Sequence, residues 1–452
     1  MNPLKSIWHF LNKERTLPSG KPRKRRRKQR GMALVMVLIA IAITLVMTNQ
    51  FATTTNIDMF AAANYRDQMR AHFLARSAQN LSELVIRLQQ RIDNVKELSG
   101  VIQLTDFADQ IMLAFCGSPE EVQAAVGFST STTKGLGADI GTCGIVGQIT
   151  TEDDKINLNC ANGTTAKAAT VKSALDALVY FPAYDPLFEE SDAEGWRRDR
   201  AQQVAAIIDY IDADTMRIRE RGTTEADNYE SLRDPYKPKN NYVDSLGEVK
   251  LARGVDDRFW TLFGNAFTVY GACTINLSAV TNSQLIASIL YLSAKNQNDP
   301  VLQDPKKLFA LASIVAKAKM FGVQFTKPED FVEFVKDPAA QVGALAGQSG
   351  TMQGSAASAA VSAGIPGITG GEKLKLELDL AKLKQIASAG PRRTYRVQAW
   401  GEIERKQKNA DGSPVFPAIR STINGVWDTK VVPQNVRKPP APKGAWVFMR
   451  ED

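Results

Sequence analysis

Histidine is scarce: the 452 residues contain two, His9 and His72, both near the N-terminus. An imidazole base, or a zinc site built on histidine, is therefore not expected in the body of the chain. A nucleophile elbow, a phosphate-binding loop and a paired C-x-x-C are missing too, which points away from an enzyme and toward a structural role. Cysteine is limited to Cys116, Cys143, Cys160 and Cys273. They allow one or two disulfides, with the pairing open. Proline and glycine are absent from Met32 to Leu98, so nothing in that stretch breaks a helix.

What is present begins with charge. The net charge is +8, yet residues 1–30 hold 11 of the 56 Lys and Arg and only one acid, Glu14. The remainder is slightly acidic, with 45 basic against 47 acidic residues. A nucleic-acid-binding body would carry its positive charge on the folded part. Here the charge stands before an apolar run, Met32 to Met47, interrupted only by Thr44. That order fits a single membrane span with a cytoplasmic N-terminus and a body on the oxidising side.

The helical signal continues past the span. Phe60, Met69, Phe73, Leu74, Leu81, Leu84, Val85, Leu88 and Ile92 recur largely at three- and four-residue spacings. One helix of about sixty residues is the economical reading, its first half in lipid and its second half packed on a globular domain. From about Cys116 to Gly147 the Gly/Thr/Ser-rich composition predicts loops with short strands.

Two later segments resemble each other, starting at Ile156 and Ile275. Each has an Ile-Asn-Leu opening, a capping threonine (Thr165, Thr281), a periodic helix and an Asp-Pro stop. Between them, Ser245 is expected to cap a short helix, Gly254 to turn the chain and Asp256 to cap a second, in helix-hairpin-helix outline. Residues 337–371 read as an Ala/Gly/Ser-rich linker. "KLKLELDL", "RTYRVQAWGEIER" and "AIRSTINGVWDT" read as strands of an antiparallel sheet. With 44% hydrophobic and 23% charged residues, the chain is long enough for two or three domains with their own cores.

One acidic cluster stands out in "IIDYIDADTMRIRERGTTEADNYE": Asp209, Asp212, Asp214, Glu225 and Asp227, with Gly222 letting the loop fold back. Carboxylates this close repel unless solvated or bridged by a cation such as calcium. The spacing matches no EF-hand loop, so solvation of a loop is the competing reading.

The junction Arg30-Gly31-Met32 resembles a type III leader cleaved after glycine by prepilin peptidase. The ordered set "INLN", "IIDYIDAD", "TTEADNYESLRDPYKPKN", "NYVDSLGEVKLARGV" and "TINLSAVTNSQLIASIL" resembles the K-type minor pseudopilin of the type II secretion system (GspK). That resemblance implies an α+β fold, a pilin-like long N-terminal helix packed on an antiparallel sheet, with a large inserted α-helical domain containing helix-hairpin-helix-like elements. The expected domains are a leader (1–31), the long helix (32–98), a first part of the β domain (99–154), the inserted α-helical domain (155–330), the linker (337–371) and C-terminal strands (372–452). Met36 stands where most pilins place glutamate, and the K type lacks it.

The resemblance further implies a non-enzymatic tip subunit of a periplasmic pseudopilus, anchored in the bacterial inner membrane. Its partners would be the I- and J-type minor pseudopilins, the major pseudopilin and prepilin peptidase, with the secretin and exported substrates as further contacts. It also implies a calcium site, drawn from Asp212, Asp214, Glu225 and Asp227. Two rival readings are a membrane-anchored DNA-uptake receptor using the hairpin and a calcium-dependent exported hydrolase. The slightly acidic body and Asp256 oppose the first, and the lack of histidine opposes the second.

Overall fold

The protein is described by a computed structural model covering residues 29–95, 103–117, 141–189, 191, 195–196, 199–219, 222–320, 323–338, 340–341, 374–405, 416–432 and 443–452. The basic leader through residue 28 and most of the 337–371 linker lie outside these residues. The chain divides into two compact units at Met69/Arg70.

Helix α1, Gln29–Asp93, runs 65 residues without a break, as the absence of proline and glycine after Gly31 predicts. In the first unit every side chain from Gly31 to Ala62 is exposed. This part is long and apolar enough to cross a membrane. Thr44 does not interrupt it, because its hydroxyl donates back to the carbonyl of Ala40 one turn earlier.

The second unit opens with the remainder of α1, where Ala71, Ala75, Ala78, Ser82, Val85, Ile86 and Gln89 form one buried stripe. A 3₁₀ turn, Leu104–Phe107, leads into α2, Ala108–Cys116. This helix ends where the loop-and-strand expectation begins, at about Cys116. Ala108, Met112 and Cys116, spaced four apart, bury themselves in the core beneath the sheet.

Strands β1 (Thr142–Ile145) and β2 (Thr150–Thr151) both pair antiparallel with β7 (Thr394–Ile403). β7 pairs with β8 (Ile419–Asp428), and β8 with β9 (Ala445–Glu451), completing an antiparallel sheet. β9 falls within the expected C-terminal strands (372–452), although its own stretch was not singled out. Along β7, Tyr395, Val397 and Ala399 alternate inward onto the α1 stripe. At Gly401 a Cβ would lie 2.2 Å from the Ala71 carbonyl oxygen, so only glycine lets β7 and the α1 backbone meet.

A second core lies between β2 and β7 in sequence. Its elements are β3 (Ile156–Asn157), α3 (Thr165–Val179), α4 (Asp185–Phe188), α5 (Arg200–Asp209), α6 (Asp227–Glu230), α7 (Asp257–Phe263) and β4 (Phe267–Thr268). They continue with β5 (Ile275–Asn276), α8 (Ser283–Ser293), α9 (Pro300–Gln303), α10 (Pro305–Met320), α11 (Pro328–Lys336), α12 (Leu380–Ile386) and β6 (Ala387–Ser388). The α+β architecture, with a long helix on an antiparallel sheet and helices inserted into the chain between strands, is as expected.

The two similar segments prove to be equivalent in bonding. β3 pairs parallel with β4, and β5 with β6. The Asn157 side chain accepts from the Asn159 amide and donates to the Gly271 carbonyl. Asn276 does the same with Ser278 and Gly390, and both glycines lie 114 residues beyond their asparagine at positive φ. The caps differ from expectation. Thr164, not Thr165, precedes α3 and makes no capping bond, while Asn282, not Thr281, caps α8. The Asp-Pro pairs start helices rather than stop them: Pro186 and Pro300 sit in first turns, where no amide hydrogen is needed.

Ser245 forms a capping box with Glu248, Gly254 adopts φ +80° and Asp256 caps α7, but the first of the two elements is 3₁₀ (Leu246–Leu251). "KLKLELDL" is not a strand of the sheet. Leu376 and Leu378 do alternate inward, but into the helical core: the Leu376 amide bonds the Val335 carbonyl, and α12 starts at Leu380. Alternation reports one buried face and is silent about which layer covers it. All four cysteines are paired, Cys116 with Cys143 and Cys160 with Cys273.

Candidate metal centre

Helix α5 carries the first ligand candidate. The Asp199 side chain caps its N-terminus through the Gln202 amide, and Gln203–Asp209 are all buried. Asp209, the last helical residue, is only 2% exposed. The chain then doubles back: Met216 bridges Thr224, the Arg217 amide reaches the Thr223 carbonyl, and Gly222 takes φ +94° as the turn demands. This returns Glu225, 1% exposed, beside the end of α5.

Asp209, Asp212 and Glu225 thereby come together, with one oxygen from each lying within 4.8 Å of the others. Burial and mutual repulsion push the Asp209 and Asp212 carboxyls up to about 7 and that of Glu225 up to about 8. Asp209 accepts from the Ile218 amide, while Asp212 Oδ1 and Glu225 Oε1 are buried without a hydrogen-bond partner. A cavity of ≈280 Å³ beside Asp209 is lined by Asp199, Gln202, Arg217, Arg219 and Asn228.

Of the residues named from sequence, Asp212 and Glu225 are in this group. Asp214 lies close enough to raise all three carboxyls, and its own Oδ1 accepts from the Met216 amide. Asp227 is engaged elsewhere, accepting from both the amide and the hydroxyl of Thr224. Asp209 was counted in the cluster but not chosen; its position three residues before Asp212, across a helix end, was the available signal.

Asn240 went unremarked. Its Nδ2 donates to the Asp214 carbonyl and to Glu225 Oε2, both at 2.5 Å, and its Oδ1 is buried and unpartnered. It is also the one non-glycine residue at positive φ (46°) among the described residues. Sequence spacing gives no hint of it.

Oxygen-only donors, three carboxylates drawn together and buried oxygens without donors fit a hard cation such as calcium. They do not fit zinc, which favours nitrogen and sulfur.

Gly31 and Met32, where cleavage is expected from the resemblance, lie in the first turns of α1, and Met36 is exposed on the same helix.

A long helix laid on an antiparallel sheet, with a helical domain inserted between its strands, is the frame that holds the acidic group in the inserted domain. Residues 154–270 match the family model for the type II secretion system (T2SS), protein K. The matched segment contains the acidic group, and it bears out the resemblance to the K-type minor pseudopilin. That family is a structural component of the secretion system.

The solved GspK-GspI-GspJ complex from enterotoxigenic Escherichia coli type 2 secretion system contains a similar chain, 12% identical. The alignment covers 87% of this chain and 99% of that one, with a TM-score of 0.46. No curated protein matches the sequence.

Proposed function

We propose that the protein is a minor pseudopilin at the tip of the type II secretion pseudopilus, initiating or capping its assembly. The observation that carries this reading is the protein K match over residues 154–270. Prepilin peptidase removes the basic leader between Gly31 and Met32, leaving α1 in the inner membrane and the body in the periplasm. The I- and J-type minor pseudopilins are its assembly partners, by analogy with the complex whose name joins the three. The major pseudopilin lies below them, and the secretin and exported proteins are reached from the tip.

Two features support the terminal position. Met36 replaces the carboxylate that, inside a filament, would neutralise the ammonium of a neighbouring subunit, since an unpaired charge among apolar helices is costly. A subunit with none above it has no such need. The whole helical domain also intervenes between β2 and β7, bulk that a repeating subunit would have to accommodate at every step. Calcium at Asp209, Asp212 and Glu225 completes the domain by supplying the positive charge that the three carboxylates lack.

A DNA-uptake role gains no support from the hairpin. Asp256 occupies the N-terminus of α7 and accepts from the Phe259 amide, the position where a phosphate would bind.

The test is the N-terminal residue of membrane-extracted protein, with and without active prepilin peptidase, combined with co-purification of the I- and J-type subunits. A start at Met32 only with peptidase, and recovery of both partners, is expected. An intact N-terminus in both cells, or isolation of the protein alone, would overturn the reading.

A further inference from the structure

Asn240 lies within a strap that leaves α6 and returns at the 3₁₀ turn Leu246–Leu251. The strap has its own ties: Tyr236 donates its hydroxyl to the Leu251 carbonyl, and Lys239 reaches both Asp244 and Glu248. At Asn240 the amide donates to the Tyr210 carbonyl, immediately after α5. The backbone there is left-handed, a conformation asparagine takes up more readily than most other non-glycine residues.

The side chain's orientation is fixed by chemistry. Two acceptors, the Asp214 carbonyl and Glu225 Oε2, face one end of the amide, so that end is the NH₂. The other end is a carbonyl oxygen, buried and without a donor. It is joined to Nδ2 through one carbon, so it lies within about 5 Å of the Glu225 carboxylate. Two ligands of one calcium ion, each 2.3–2.6 Å from it, are separated by no more than about 5 Å.

Resting on the calcium reading above, we infer that Asn240 Oδ1 is a further, uncharged ligand of that cation, so that binding latches the 231–244 strap to the end of α5. A neutral donor adds coordination without adding a fourth negative charge to three carboxylates that already repel. The amide thus has two tasks, its nitrogen holding Glu225 and its oxygen meeting the ion.

The experiment uses the full chain in detergent, stripped with chelator and titrated calorimetrically with calcium chloride. Wild type is compared with Asn240→Gly, which suits the positive φ and removes the side chain, and with Asn240→Asp, which keeps an oxygen and loses the NH₂. Trypsin cleavage after Arg233 and Lys239 is followed in parallel.

Calcium should bind wild type and slow cleavage of the strap. Asn240→Gly should bind at least tenfold more weakly and lose the protection, while Asn240→Asp stays within a few-fold of wild type and keeps it. Equal weakening in both variants would reduce Asn240 to a positioning residue acting through its nitrogen and overturn the inference, as would no weakening in either. Absence of calcium binding to wild type would instead overturn the calcium reading itself.

Discussion

Two acidic triplets lie in the second unit and meet opposite fates. At the junction of sheet and helical core, Glu152, Asp153 and Asp154 are consecutive; at the end of α5, Asp209, Asp212 and Glu225 are gathered from a helix and a folded-back loop. Both triplets leave buried carboxylate oxygens without hydrogen-bond donors. Countercharge separates them. Glu152 is desolvated, yet Lys155 and Arg396, both in contact with it, hold its carboxyl below the ordinary range. Burial pushes the Asp153 carboxyl up, against the amides of Arg393 and Thr394 that it accepts from and the nearby Arg393 guanidinium. Burial raises Asp154 to about 6, with Lys155 and Lys319 opposing that rise. At the α5 end burial is reinforced by neighbouring acids, with Arg217 opposing the rise at Asp209. At one triplet the chain itself supplies opposing charge, whereas at the other neighbouring acids add to the effect of burial.

Removing a partner from the balanced triplet should have the largest effect. Glu152→Ala removes the buried carboxylate that the part-exposed Arg396 and Lys155 share and should cost about 3–5 kcal/mol. Thermal unfolding should show the same loss with calcium or with chelator. Asp212→Ala should behave in the opposite way: wild type gains about 3 kcal/mol from calcium at a hundred times its dissociation constant, and this gain should vanish in the variant.

The pH response sharpens the contrast further. Asp209, Asp212 and Glu225 titrate near 7, 7 and 8 when folded, against 3.8, 3.8 and 4.5 as reference values. The folded state therefore binds more protons than the unfolded state between about pH 4 and 8. The stability contributed by these groups is complete below pH 4 and lost as pH rises through their folded values. Chelated protein should accordingly lose stability from pH 5 to 8, and calcium should flatten the slope. Glu225→Gln should also flatten it, making the chelated protein more stable at pH 8 than wild type.

The smallest effect is expected at Asp227. Replacing it with alanine removes the bonds to Thr224 and should cost about 1 kcal/mol. Calcium affinity should not change, and a tenfold loss would return Asp227 to the ligand set.

Sequence disclosed the features that local chemistry determines. The unbroken α1 follows from missing proline and glycine, β7 and β8 from alternation, and the paired Ile-Asn-Leu openings from simple repetition. Features decided by distant packing were not legible. "KLKLELDL" has strand periodicity but lies on helix ends, and the helix that buries Ala108, Met112 and Cys116 was not singled out from the sequence. In the acidic stretch, composition disclosed the cluster and Gly222 its turn. The selection of Asp209 over Asp227 depended on which carboxylate already had a local donor in Thr224. Asn240 belongs to the site through a backbone conformation that has no spacing rule.

The matched bonds of Asn157 and Asn276 carry one last consequence. In each half of the helical core the chain departs and comes back to nearly the same point, tied there by one asparagine and one glycine. The cost of closing such an excursion grows only logarithmically with its length. Each half is therefore a socket with fixed terminals and an adjustable interior, so segments can lengthen, shorten or diverge within it while the sheet registers no change. Variation among chains built this way should accumulate between the terminals, and the asparagine-glycine ties should mark where one tolerant interval ends and the next begins.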